Sequence, residues 1–224
     1  MNRKYFEAYD DRYRQVHAEN LRWFDSAPSA IVGQVLSEWK VPKTAKLLEI
    51  GCGEGRDAKF LLEKGYSLLA TDISSEAVAY CKKENPNFAD HFQTLDCTKD
   101  TLETKFDFIY AVAVIHMLVL DEDRNAFYRF IRAHLTETGA ALICTMGDGE
   151  MERSSDISNA FDLQERVHEP TGRTVQIAGT SYRAVSFATI DRELQENGLK
   201  ILKPGLTNIE PDYWKMMYAV VKRS

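Results

Sequence analysis

Three glycines and a carboxylate lie together early in the sequence, in LLEIGCGEGRD at residues 47–57. Glu49 is near the end of an apolar run, and Gly51, Gly53 and Gly55 follow it at every second position. A residue without a Cβ adopts positive φ readily and lets peptide N–H groups approach a ligand closely. Amides at the start of a helix attract negative charge or lone pairs. This stretch therefore predicts a loop that holds a polar ligand against bare backbone.

Two further carboxylates end apolar runs. Asp72 closes YSLLATD and Asp96 closes HFQTLD. A carboxylate accepts hydrogen bonds from hydroxyls and amines, each contributing roughly 1.5–3 kcal/mol. Taken alone, Asp72 can also cap the next helix and Asp96 can also form a turn. Because both follow candidate strands in a chain with the glycine loop, we favour a shared ligand-binding role.

Strand-like and helix-like periods alternate from residue 28 onward. The predicted strands are 45–50, 66–72, 91–96, 105–112 and 139–146, and the predicted helices are 28–39, 55–65, 74–85 and 121–135. This alternation predicts a parallel sheet with helices on both faces. Ligands of such sheets bind beyond the carboxyl ends of the strands. We therefore expect the glycine loop, the two acids and residues 110–116 at one rim.

The alternation stops after Met146. Residues 147–172 are polar and are predicted to be irregular, and residues 173–178 and 181–187 are predicted to form a hairpin around Gly179-Thr180. A helix capped by Thr189 and two antiparallel strands are then predicted, in that order, at 189–198, 199–203 and 213–222.

Composition excludes several classes of function. Lys and Arg total 28 against 34 Asp and Glu, a formal net charge of −6 over 224 residues, which argues against nucleic acid as a partner. The four cysteines lack metal-ligand spacing, so no metal site is predicted. No stretch has the length of a membrane span or the pattern of a signal peptide, so we expect a cytoplasmic, reduced protein without a membrane partner. No feature indicates an oligomeric state.

Arg56 separates two interpretations of the glycine loop. The dinucleotide fingerprint G-x-G-x-x-G needs its third glycine at position 56, where the chain has Arg56. What stands instead is E-x-G-x-G-x-G, from Glu49 to Gly55. A nicotinamide-dependent reductase is therefore a weaker alternative.

The whole pattern resembles the class I S-adenosylmethionine-dependent methyltransferases, in their small-molecule, thiopurine- and tellurite-like branch. The stretch LLEIGCGEGRDAKFLLEKGYSLLATDIS is similar to the family's first strand, glycine loop, helix and second strand, and LDC, FDFIYAVAVIHML and HLTETGAALICT are similar to its later strands. The resemblance covers residues 28–146 and 186–222. It implies an α/β fold: a Rossmann-like, doubly wound, seven-stranded sheet, mostly parallel with an antiparallel last strand, with helices on both faces.

The resemblance also implies a binding site for the cofactor S-adenosyl-L-methionine. Asp72 would accept from the ribose hydroxyls, Asp96 would receive the adenine amine, and Glu49 would order the loop or the amino group. The full set of implied cofactor-binding residues is Glu49, Gly51, Cys52, Gly53, Gly55, Asp72, Ile73, Asp96, Cys97, Ala111, Val112 and Tyr13.

Methyl transfer from a sulfonium is an in-line displacement, so orientation can supply much of the rate enhancement and no base is obligatory. His116, in AVAVIHMLV, is the candidate catalytic residue, since small-molecule members of the family often place a histidine or aromatic residue there. The alternative is a structural histidine packed under the next helix. His168 is interpreted as an exposed loop residue.

The flanking segments are expected to cover the site. Residues 1–27 resemble the lid that precedes the core in this branch, and Tyr9 or Tyr13 would close over the sulfonium, where an aromatic ring attracts a cation. The alternative is a helix packed on the sheet edge. Residues 28–224 form the methyltransferase domain, with an insertion at 147–185 capping the active site. Arginines in that insertion suggest an acceptor with an anionic group.

The predicted function is S-adenosylmethionine-dependent transfer of a methyl group to a small-molecule acceptor in a capped pocket. A protein or peptide methyltransferase of the same fold, with an open groove, is the first alternative. A nicotinamide-dependent reductase and a non-catalytic S-adenosylmethionine-binding protein are the others.

Overall fold

The computed structural model describes residues 3–23, 27–168, 171–208 and 215–224. The helices are α1 (Ala8–Ala18), α2 (Ala30–Glu38), α3 (Arg56–Glu63), α4 (Ser75–Glu84), α5 (Asp121–His134) and α6 (Phe187–Glu196). The strands are β1 (Lys46–Ile50), β2 (Ser67–Asp72), β3 (Phe92–Thr94), β4 (Phe106–Val112), β5 (Leu135–Met146), β6 (Arg153–Ser154), β7 (Leu163–His168), β8 (Arg173–Ala178), β9 (Arg183–Ala184), β10 (Leu199–Thr207) and β11 (Met216–Arg223). None of the described helices is both long and apolar enough to cross a membrane.

Seven strands form the central sheet, in the order β10-β11-β5-β4-β1-β2-β3. The pairs β1–β2, β1–β4, β2–β3 and β4–β5 are parallel, whereas β11 runs antiparallel to both β5 and β10. The predicted fold class, with its antiparallel last strand, is confirmed. The chain leaves β1 toward β2 and β3 and then returns to β4 on the other side of β1. This reversal opens a crevice at the carboxyl ends of β1 and β4.

Both faces of the sheet are buried, which explains the continuous apolar runs of its inner strands. Leu47 packs with residues of α2, α3 and α4 on one face, and its neighbour Leu48 packs with residues of α5 and α6 on the other. Successive side chains of β1 thus contribute to two hydrophobic cores, one on each face of the sheet. The three-layer arrangement holds the rim rigidly.

The structure corrects the predicted secondary structure of the insertion. β8 pairs with β7, Leu163 opposite Ala178, and not with residues 181–187; of these, Arg183–Ala184 pair with Arg153–Ser154. Most side chains of β7 are exposed or half-buried, so LQERVH shows no apolar alternation to mark it as a strand.

Serine side chains cap two of the helices. Ser74 caps α4 by accepting from Ala77 N at 3.0 Å. Thr189 does not cap α6, because the helix begins earlier and Ser186 accepts from Thr189 N at 3.2 Å. The predicted last strand began at 213, and residues 213–214 lie outside the described residues.

Candidate functional site

The glycine loop connects β1 to α3 in a conformation that favours glycine. Gly51, Gly53 and Gly55 have φ of +75°, +52° and +78°. A Cβ on Gly51 would lie 2.4 Å from Val114 Cγ2, and one on Gly53 would lie 2.6 Å from the Tyr13 hydroxyl oxygen. Both positive φ and close approach therefore exclude larger residues here. The loop is a bare peptide surface facing the crevice.

Asp72 joins the end of β2 to this loop. Its Oδ2 accepts from Gly53 N at 2.8 Å and its Oδ1 accepts from Ser74 N at 2.8 Å. Burial raises the pKa of Asp72 above its usual range, while the amides of Ser74 and Gly53 act in the opposite direction. The carboxylate is thus oriented by backbone groups, and it lines the crevice.

Asp96 occupies the corresponding place after β3. Its Oδ1 accepts from the amide and hydroxyl of Thr98, at 2.9 and 2.6 Å, and Lys99 Nζ lies 3.3 Å from Oδ2. Asp96 therefore forms a turn and also lines the crevice, so the two interpretations made from the sequence are compatible. Burial, reinforced by Asp96, raises the pKa of the Cys97 thiol.

Glu49 lies at the bottom of the crevice and is only 4% exposed. Its Oε2 has no hydrogen-bonding partner among the described residues. Burial raises the pKa of Glu49 well above its usual range, and the nearby Asp57 carboxylate adds to the effect. A buried carboxylate oxygen without a donor is suited to receive one from a ligand.

The crevice is a cavity of about 1010 Å³, counting the space open to solvent at its mouth. Ten of the predicted site residues line it: Tyr13, Glu49, Gly51, Cys52, Gly53, Asp72, Ile73, Asp96, Cys97 and Val112. Gly55, Ala111 and His116 do not. Gly55 precedes α3, and Ala111 is buried in the sheet.

His116 lies in a short 3-10 turn after β4 and is 3% exposed. Burial lowers the pKa of His116 to about 4, and the nearby Arg124 guanidinium acts in the same direction. The imidazole is therefore neutral near pH 7. Its neighbours Met117 and Leu118 line the cavity while His116 does not, so its catalytic role stays a prediction.

Several lining residues were not assigned to the site from the sequence: Phe6, Ile50, Glu54, Arg56, Asp57, Leu95, Thr98, Ala113, Val114, Met117 and Leu118. All of these except Phe6 lie within two positions of a predicted site residue, so adjacency to a motif was the available signal. Glu54 differs from the other residues of this set in its polar contacts. It is a buried carboxylate inside the glycine loop, and its polar partners come from distant parts of the chain.

We define the roof of the cavity as α1, which carries Tyr9 and Tyr13, together with Phe6 in the 3-10 turn before it. His17 lies between two carboxylates, with Nδ1 2.8 Å from Glu76 Oε1 and Nε2 3.1 Å from Glu54 Oε1. Burial lowers the pKa of His17, but Glu54 and Glu76 together raise it further, so its pKa lies above the usual value. The roof is thus joined to the glycine loop by an ionic contact.

The insertion packs on the outer side of α1. Arg12 donates to the carbonyl oxygens of Ala178 and Gly179, both at 3.0 Å, and Gln15 Oε1 accepts from Ala178 N at 2.7 Å. No described residue of 147–185 lines the cavity. The hairpin of β7 and β8 therefore packs on the outer side of the roof, and the roof lies over the cavity.

These residues fit S-adenosylmethionine. The glycine loop offers space that a Cβ would fill, Asp72 and Asp96 present acceptors for hydroxyl and amine donors, and the unpartnered oxygen of Glu49 suits a cationic group. Tyr13 adds an aromatic ring on the roof.

Comparison with known proteins agrees with this geometry. A family model described as a methyltransferase domain matches residues 48–141. The matched region runs from β1 into β5 and includes the glycine loop and both acids.

One curated relative and two solved structures extend the comparison. The chain is 26% identical over 117 residues to the probable S-adenosyl-L-methionine-dependent methyltransferase TehB of Haemophilus influenzae; the alignment covers 51% of this chain and 41% of that protein, so the chain spans less than half the length of this relative. A 1,6-didemethyltoxoflavin-N1-methyltransferase of Burkholderia thailandensis has a TM-score of 0.70 at 16% identity, covering 100% of this chain and 92% of that one. The glycopeptide N-methyltransferase MtfA complexed with S-adenosyl-L-methionine has a TM-score of 0.65 at 18% identity, covering 88% and 95%.

The predicted resemblance to class I S-adenosylmethionine-dependent methyltransferases is confirmed, together with the fold, the enzyme class of the domain and its cofactor class. The two structural relatives differ in the acceptor that their names state. The acceptor of this chain therefore has to be argued from its own cavity.

Proposed function

We propose that the chain transfers the methyl group of S-adenosylmethionine to a small-molecule acceptor by in-line displacement beneath the α1 roof. The observation that carries this proposal is the close approach of roof and glycine loop, since the Tyr13 hydroxyl oxygen lies 2.6 Å from the position that a Cβ on Gly53 would take. An acceptor must fit into the enclosed space that remains.

Each part of the cofactor has a counterpart among the lining residues. Asp72 accepts from the ribose hydroxyls, Asp96 binds the adenine amine, and Glu49 receives the ammonium group of the methionine end. Charge-assisted hydrogen bonds of this kind contribute roughly 1.5–3 kcal/mol each. When bound, the cofactor supplies an electrophilic methyl group, and the surrounding residues orient the acceptor and exclude water.

The enclosed cavity favours a small acceptor over a peptide, because a peptide needs a continuous groove. Five of the lining residues are acidic and one, Arg56, is basic. This balance favours a neutral or cationic acceptor over an anionic one. Two of the arginines that suggested an anionic group are engaged elsewhere: Arg173 pairs with Glu19 at 2.7 Å, and Arg183 donates to Val119 O at 2.9 Å.

Calorimetric titration tests the cofactor assignment. We expect S-adenosylmethionine to bind and NADH not to bind. Asp72→Ala should weaken S-adenosylmethionine about tenfold or more, ~1.4 kcal/mol, while circular dichroism shows an intact fold. The matched control is Asp90→Ala, at an exposed aspartate, which should leave binding unchanged. Binding of NADH instead would support the reductase, and unchanged affinity in Asp72→Ala would remove Asp72 from the site.

A second experiment separates the acceptor classes. The protein is incubated with methyl-labelled S-adenosylmethionine and a cell extract that has been divided into low-mass and protein fractions. Label in the low-mass fraction supports the proposal, and label in the protein fraction supports a peptide acceptor. Cofactor binding without transfer to either fraction supports a non-catalytic binding protein.

A further inference from the structure

Three polar side chains lie together beneath the glycine loop. Glu49 on β1 and Tyr110 on β4 are directly opposite each other in the parallel ladder, and Asp57 comes from the first turn of α3. All three are buried, with exposures of 4% for Glu49, 0% for Tyr110 and 4% for Asp57. Buried polar groups in such a cluster are normally satisfied by hydrogen bonds.

Two of the three groups are left with unused hydrogen-bonding capacity. Asp57 Oδ1 accepts from Ser29 N at 2.5 Å. Within the described part of the chain, neither Glu49 Oε2 nor the Tyr110 hydroxyl has a hydrogen-bonding partner. The hydroxyl nevertheless lies close enough to Glu49 for each group to affect the pKa of the other. Tyr110 thus presents a hydroxyl donor, without a close hydrogen bond, next to a carboxyl group that lines the cavity.

The groups that face Glu49 decide its protonation. Burial and the Asp57 carboxylate raise the pKa of Glu49 most, and Asp72 adds to this, while Tyr110 and Arg56 act in the opposite direction. The net result is a pKa well above the usual range. Without a bound cationic ligand, Glu49 therefore holds a proton at a pH where an exposed glutamate is ionised.

We propose that Tyr110 is a positioning residue for the cofactor, because its hydroxyl donates to the Glu49 carboxylate when that group ionises to receive the cofactor's ammonium group. Binding of the cofactor then releases one proton from Glu49 to solvent. The proton leaves because the buried carboxylate gains an ammonium partner and a hydroxyl donor. This inference rests on the proposed function. It assigns a role in cofactor affinity to Tyr110, a residue that does not line the cavity.

The expected pH dependence follows from this exchange. Below the pKa of Glu49 in the free protein, the affinity for S-adenosylmethionine rises about tenfold per pH unit, because one proton must leave. Above that pKa the affinity is constant until the cofactor's own amino group, with a pKa of roughly 8, loses its proton. Calorimetry in buffers of different ionisation enthalpy should measure release of one proton per cofactor bound at pH values below the pKa of Glu49 in the free protein.

Tyr110→Phe keeps the ring and removes the donor. We expect S-adenosylmethionine to bind about tenfold more weakly at pH 7, the usual size of a lost hydrogen bond to a charged group. The rising part of the affinity profile should also move to higher pH, because ionised Glu49 has lost a donor. Glu49→Gln should abolish proton release, and adding Tyr110→Phe to that variant should leave its pH profile unchanged.

Tyr128→Phe is the matched control for general damage to the core. Tyr128 is also fully buried, but its hydroxyl donates to Glu193 at 2.7 Å, away from the cavity. Its replacement should lower the melting temperature and leave the pH profile of cofactor binding as in the wild type.

The outcomes are distinct. A Tyr110→Phe variant with wild-type affinity and an unshifted pH profile overturns the role of Tyr110. Binding by the wild type without proton release overturns the coupling, whatever the variants do and even if Tyr110→Phe fails to fold. Failure of the wild type to bind S-adenosylmethionine at any pH removes the proposed function itself.

Discussion

The floor of the cavity, which is the glycine loop with the strand ends beneath it, and the roof are held in place by different kinds of contact. In the floor, Gly51 N and Cys52 N donate to Thr71 O at 2.7 and 2.9 Å, and Gly53 N donates to Asp72. In the roof, His17 is held between Glu54 and Glu76. Backbone hydrogen bonds inside a sheet do not titrate, whereas an ionic contact of histidine does. The peptide contacts of the floor are therefore insensitive to pH, whereas the contact that joins the roof to the glycine loop titrates.

The largest expected effect lies under the floor, at Arg124. This fully buried side chain donates to both oxygens of Glu193, at 2.8 and 2.7 Å, and to Ile115 O at 3.0 Å. It thereby holds the segment that contributes Met117 and Leu118 to the cavity. Arg124→Ala leaves the buried Glu193 carboxylate without its guanidinium partner, so unfolding in urea should show a loss of about 3–5 kcal/mol.

Arg129→Ala, at an exposed site on the same helix, is the control for Arg124 and should change stability by no more than about 0.5 kcal/mol. If Arg124→Ala proved as mild as this control, the buried pair would not support the floor.

Gly51→Ala should have the next largest effect. The new Cβ meets Val114 at 2.4 Å with φ at +75°. Left-handed backbone costs a non-glycine residue roughly 1–2 kcal/mol, and overpacking adds about 1–3 kcal/mol. We expect a lower melting temperature and weaker cofactor binding than in the wild type.

Gly33→Ala provides the matched comparison within the same chain. A Cβ on Gly33 meets no atom within 4 Å, and the residue lies inside α2. Alanine there should stabilise the protein by about 0.5–1 kcal/mol. Equal melting temperatures for the two variants would show that the glycine loop is less constrained than its geometry indicates.

The smallest effect is expected in the roof, at His17. Loss of its two contacts with carboxylates in His17→Ala should cost about 1–3 kcal/mol at pH 6. Because the pKa of His17 is raised in the folded protein, this contribution is complete below pH ~6.5 and is lost as pH rises through the folded pKa. Urea unfolding at several pH values measures the difference between wild type and variant.

Hydrogen exchange adds a local readout for the roof. Amides of Ala8–Ala18 should exchange faster in His17→Ala than in the wild type at pH 6, and the two should converge at higher pH. A stability difference that stays constant with pH would mean that the charge of His17 does not hold the roof.

The same contrast explains what could be predicted from the sequence. The floor arises from local signals, since an apolar strand, glycines at fixed spacing and a terminal acid occur within a few residues of one another. Glu49, Gly53 and Asp72 were therefore placed correctly at one rim. The roof depends on contacts between distant residues, such as Arg12 with Ala178, 166 positions apart. No local pattern encodes such a pair.

His116 and β7 illustrate the two ways in which local reasoning fell short. His116 follows β4 as predicted, but which side of the turn a side chain occupies depends on packing by α5, and the structure places it near Arg124. β7 forms a strand despite largely exposed side chains because β8 supplies its partner, so β-propensity and alternation carried no signal.

Placement of the insertion against the back of α1 has a consequence for how acceptor preference can be altered. Substitutions in β8 act on the position of a helix whose opposite side lines the cavity, so we expect them to change access to the cavity without changing any lining residue. Engineering of this protein should therefore vary residues 173–180 along with the lining residues, and sequence differences there between relatives are as informative as differences inside the cavity.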